Sequence, residues 1–319
     1  MLVNSLKHPI SNGWSLFWLL SSLVNIAVVS AITKTELSTP EDISYLIGYS
    51  VRWAIPFIYF VVAASSVRVL FPGVVSNWWI RNRKYIGLVF AVAMAWQAIF
   101  IFILSTLHRD YYLDEVFYFR DELEGSIGYI FLVAMIATSF QLIRKRLNKL
   151  QWKLIHKSGL YFLWSYAFSV YWWNVFYYPY NESYIAPQLH DYLFYWTGFL
   201  VFSLRILAWG KTRKANLFNS TAPYKKTIFE KLCGLSSIFL AIAASGTGNF
   251  WYEPVSRMLL TPEWSNALSL WLPFWPLEPF LPLLLLGLGI QVLTKPNHRP
   301  ITPMQPSRYA PVSSENDKS

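Results

Sequence analysis

Five histidines, one cysteine and an arginine set well inside an apolar segment are the side chains of this 319-residue chain with most to offer chemically. Histidine binds metals and moves protons near neutral pH. Two histidines on neighbouring membrane helices can hold the iron of a b-type haem between them. The five are His8, His108, His156, His190 and His298. The arginine, Arg52, is flanked by Tyr49, Trp53 and Pro56. A charge at the centre of a bilayer costs at least about 2.5–3.5 kcal/mol, so an arginine there turns inward toward an anion. That anion is a ligand carboxylate, a cofactor propionate, or an acid of the chain itself such as Glu124 or Asp191; the alternative is that Arg52 snorkels to the surface. Cys233 stands alone. One cysteine builds neither an internal disulfide nor a cysteine-ligated cluster, and it reads as a small apolar residue of a helix.

These residues must be positioned by eight apolar, aromatic-rich segments, at 14–32, 44–70, 85–107, 125–143, 157–178, 188–209, 230–250 and 277–294. Each approaches the ~17–25 residues that carry a helix across a hydrocarbon core of about 30 Å. The expected fold is therefore all-α, a polytopic membrane bundle of about eight transmembrane helices. Composition agrees: 55% of residues are hydrophobic and only 14% charged, below the charged share of soluble domains. The linkers alternate in sign. One set of sides, termini included, holds 22 of the 27 Lys and Arg, and the other holds 14 of the 17 Asp and Glu. By the positive-inside rule both termini are cytoplasmic, in an integral membrane protein expected in a bacterial inner membrane. The net charge of +10 then falls on one membrane face and points to anionic lipid headgroups as partners, not nucleic acid. Tyr and Trp gather at the segment ends, as at Trp78 and Trp79 or Tyr177 and Tyr178, where rings prefer the headgroup level.

Residues 1–298 are expected to form the membrane domain, the first segment being a retained helix and not a cleaved signal. Residues 299–319, which follow a proline-rich stretch, are expected to be a disordered cytoplasmic tail. The pieces between segments are too short for a nucleotide-binding fold. No G-x-G-x-x-G turn or P-loop occurs, so no FAD or NADPH domain is expected in this chain; Ser245-Gly-Thr-Gly reads as a helix-end turn. Topology also sorts the histidines. His8 and His298 fall in the termini, His108 and His190 at outer ends, and His156 at the cytoplasmic end of the fifth segment. His156 is separated from the outer pair by most of the ~30 Å core and cannot share an iron with it. Arg205, one turn from a cytoplasmic end, is expected to snorkel.

Three stretches recur on successive segments: Trp79-Ile-Arg-Asn-Arg-Lys-Tyr-Ile-Gly-Leu (79–88), Gly125 to Phe140 ending in Ala-Thr-Ser-Phe, and Trp152-Lys-Leu-Ile-His (152–156). Together they resemble the ferric reductase-like transmembrane domain. That family includes the haem-carrying membrane subunit of the bacterial methionine-sulfoxide reductase system and the membrane parts of NADPH oxidases. The resemblance covers roughly residues 62–175 and implies a ferric reductase-like core at about 62–209. It also implies haem b, with His156 as metal ligand because it matches the histidine of the third motif. The family's other ligand positions differ here: Gln97 stands ten residues after Gly87, and Ser169 thirteen after His156. Gln97 or Met94 would then have to face His156 across the iron, with Arg52 as propionate partner.

Two functions follow. One is a b-haem electron-transfer subunit that takes electrons from a cytoplasmic flavoprotein or quinone docked at the basic loop 144–157. The other is a haem-free degenerate relative, acting as a membrane scaffold or as a lipid- or small-molecule-binding protein.

Overall fold

The computed structural model describes residues 6–181, 186–218, 226–260, 267 and 277–294. Among them the chain is helical throughout, without strands. The main helices are α1 (Gly13–Ile32), α2 (Pro40–Leu70), α3 (Val74–Leu107), α4 (Phe119–Thr138), α5 (Lys149–Phe176), α6 (Leu189–Phe218), α7 (Ile228–Gly246), α8 (Gly248–Leu260) and α9 (Leu281–Leu293). Every expected segment overlaps one of them. The tail at 299–319 lies outside the described residues.

Five helices, α1, α2, α3, α6 and α7, are long and apolar enough to cross a membrane. The other three expected crossings fall short for separate reasons. Helix α4 carries Arg120, Asp121, Glu122 and Glu124 in its first six residues. Helix α5 mixes seven Tyr and Trp with lysines at its start. The last apolar piece, Glu278–Leu293, is short. Outward-facing apolar side chains such as Phe102, Ile130, Phe239 and Ile242 are exposed, a surface that suits hydrocarbon and not water.

Local sequence explains the ends. Phe71-Pro72-Gly73 turns α2 into α3, since Pro72 cannot continue a helix. Asn148 and Gln151 cap α5 reciprocally, as Thr227 and Glu230 cap α7. Helix α4 stops five residues short of the expected 143, where the Thr138 and Ser139 hydroxyls bond back to the carbonyls of Ala134 and Met135 at 2.7 Å each. Such back-bonding competes with the helix ladder. At Gly246-Thr-Gly the chain breaks between α7 and α8 as a helix-end turn.

Packing is led by α2 against α3 and by α7 against α9, with α6 on α2 and α5, α4 on α5, and α1 on α3. The centre is aromatic: Trp164 stacks on Phe202 at 4.0 Å and on Phe168 at 5.1 Å, and its Nε1 donates to the Gly198 carbonyl. Gly198 also lets Tyr59 in close, because a Cβ there would stand 2.7 Å from the buried Tyr59 hydroxyl.

Candidate functional site

His156 lies in the second turn of α5, just ahead of the apolar stretch 157–178. Its Nε2 is 2.9 Å from Thr138 Oγ1 on α4. Its ring packs on Trp152 with centroids 4.4 Å apart, and Trp152 donates from Nε1 to the Thr138 carbonyl at 3.2 Å. Arg144 lies over the Trp152 ring at 4.8 Å. Thr138 directs its own proton to the Ala134 carbonyl at 2.7 Å. With that proton so directed, the contact is matched by the His156 tautomer that donates from Nε2 to Thr138 Oγ1. Burial, then the charges of Arg83 and Arg144, lower the pKa of His156 from 6.5 to about 4, so the ring is neutral at physiological pH.

Gln97 and Met94 meet a different partner. The Tyr129 hydroxyl of α4 lies 3.0 Å from Gln97 Oε1 and 3.1 Å from the Met94 carbonyl, with one proton to share between them. Tyr129 and Thr138 are nine residues apart on α4, about 14 Å along the axis. Axial ligands of one iron must instead face each other across it. The structure thus brings Gln97 and Met94 together and keeps His156 away from both. These residues do not fit a haem held between His156 and either of them. Ser169, at the remaining family position, is buried and donates to the Tyr166 carbonyl at 3.0 Å.

Arg52 is half-buried on α2, its guanidinium carbon 5.4 Å from the ring centre of Tyr45 and 5.8 Å from that of Tyr49. It makes no ion pair among the described residues. Asp191 is engaged elsewhere: it accepts from the Gln188 amide at 2.8 Å and from Asn174 at 3.0 Å, with His190 3.5 Å away. The arginine contacts of the first motif are mostly structural. Arg81 and the buried Asn82 both bond Asn12 Oδ1, Asn82 also accepts from the Gly13 amide, and together they fasten the start of α1. Gly13 itself sits at φ 62°, which favours glycine. Cys233 is exposed on α7. Among the described residues no group of three or more His, Cys, Asp or Glu converges as a metal site.

A further candidate site lies elsewhere, and sequence reasoning missed it. A cleft of about 510 Å³ opens between α5, α6 and α9. Arg205 borders it without snorkelling away: Nη1 donates to the Val62 carbonyl at 3.0 Å and to Ser65 Oγ at 3.2 Å, and Nε donates to the Tyr161 hydroxyl. Three helices thus fix one guanidinium. No carboxylate pairs with it among the described residues, and the nearby charge of Arg83 repels it. The only sequence signal was an arginine inside an apolar segment; its partners Ser65 and Tyr161 are far away in the chain.

No family model, curated protein or solved structure matches this chain.

Proposed function

We propose that this chain is a haem-free relative of the ferric reductase-like membrane bundles, serving as a membrane scaffold with a binding site for a lipid or small molecule. The observation that carries the reading is the division of the haem-ligand positions. Gln97 Oε1 and the Met94 carbonyl accept from Tyr129 on α4, and His156 is bonded to Thr138 about 14 Å further along the same helix. The electron-transfer reading would need those groups on one iron, and a cytoplasmic flavoprotein or quinone to feed it.

In the proposed topology the chain crosses a bacterial inner membrane about eight times, with α4, α5 and the piece Glu278–Leu293 completing the five long apolar helices. Both termini and the basic loops are cytoplasmic, in keeping with the division of charge between the linkers. The Arg144–Lys157 segment then lies against anionic headgroups. The absorption spectrum of the purified full-length protein tests the reading: a haem-free bundle has no Soret band, whereas a stoichiometric band overturns it.

A further inference from the structure

The cleft beside Arg205 is graded from polar to apolar along its length. Gln291, Trp209 and Arg205 lie toward the end where Lys211 caps α2 and Lys226 bonds the Val292 carbonyl. From there the walls are Phe202 and Ile206 of α6 and Leu284 and Leu288 of α9. Leu284 and Leu288 are exposed, so the cleft opens on the outer surface of the bundle. From Gln291 to Leu283 it follows eight residues of α9, about 12 Å. Gly287 lines it, and a Cβ on Gly287 would meet no atom within 4 Å.

The electrostatics name the complement. Arg205 spends Nε and Nη1 on the protein, while Nη2 makes no hydrogen bond among the described residues. A guanidinium in apolar surroundings without a counter-charge is costly, and Arg83 adds a second positive charge nearby. An anion bonded to Nη2 removes that cost, and phosphate suits the planar fork of arginine. The apolar length leading away from it suits a hydrocarbon chain.

We propose that this cleft holds one anionic phospholipid from the leaflet at the basic end of the bundle, its phosphate on Arg205 and an acyl chain along Ile206, Phe202 and Gly287. The proposal rests on the reading of the bundle as a ligand-binding membrane protein. Its failure would show in lipid binding, whereas failure of the haem-free reading would show in the optical spectrum.

The test is native mass spectrometry of the full chain, released from detergent after exchange into phosphatidylglycerol or phosphatidylcholine. Wild type should retain one phosphatidylglycerol at least about tenfold more tightly than phosphatidylcholine, because both lipids offer a phosphate but only choline adds a cation beside Arg205 and Arg83. Arg205→Gln should abolish that preference. Gly287→Leu, whose Cβ meets no atom within 4 Å and whose side chain extends into the cleft, should weaken retention of both lipids while circular dichroism stays unchanged. Equal retention of the two lipids by wild type would overturn the proposal. So would a Gly287→Leu variant that keeps phosphatidylglycerol as wild type does, or displacement of the lipid by millimolar inorganic phosphate alone.

Discussion

Gln97 and Tyr129 meet 3.0 Å apart in the interior between α3 and α4. The contact occupies the position where the resemblance implies a haem ligand, and turns it to holding two helices together. Replacing Tyr129 with Phe should leave the Gln97 amide and the Met94 carbonyl without this partner. The expected cost is about 1 kcal/mol, typical of one net hydrogen bond, read as a lower thermal midpoint of the detergent-solubilised protein. An unchanged midpoint would show that the hydroxyl contributes nothing.

His156 should make stability depend on pH. Its folded pKa, about 4, lies below the ordinary 6.5. Between these values the unfolded chain takes up a proton that the folded chain refuses. Stability is therefore retained above about 6.5 and falls as pH drops toward 4. A His156→Gln variant lacks this titration, so the gap between wild-type and variant midpoints should shift in the variant's favour on acidification. Parallel pH profiles would contradict the burial of a neutral imidazole.

Gly234 and Gly289 bring α7 and α9 into backbone contact: a Cβ on Gly289 would stand 2.8 Å from the Gly234 carbonyl oxygen and 2.7 Å from Ile238. Small residues at such crossings are what let membrane helices pack closely. Gly289→Ala should force the pair apart and cost about 1–3 kcal/mol. Gly287→Ala, two residues away with open space before it, should be neutral or mildly stabilising in the same thermal assay.

How much of this was legible in the sequence depended on whether the signal was local. Hydropathy located the helices because each apolar run is its own record, and the Asn148 and Thr227 caps sit beside the helices they start. Boundaries moved where a helix continues through polar residues. Helix α3 begins at Val74, before the expected 85, because Trp78 to Lys84 extends it into the basic face. The haem-ligand positions could be aligned in sequence, but their separation could not be seen, since it depends on which residues of α4 meet α3 and α5. Arg205 was visible as a charge in an apolar run. Its fixing by Val62, Ser65 and Tyr161 brings together residues up to 143 positions apart, which no local pattern encodes.

Topology can be checked directly. A cytoplasmic reporter fused after Lys149 should be active and one fused at Asp114 inactive, because the basic and acidic linkers lie on opposite faces under the positive-inside rule. The reverse result would invert the orientation and move the lipid cleft to the other leaflet.

The central claim is that the bundle binds no haem through His156, Gln97 or Met94. Its most direct test is the optical spectrum of the full-length protein purified from haem-replete cells, with haem counted per chain, before and after incubation with haemin. The account predicts no Soret band and far less than one haem per chain in both states. A Soret band with close to one haem per chain, lost in His156→Ala but kept in His108→Ala and His190→Ala, would contradict it.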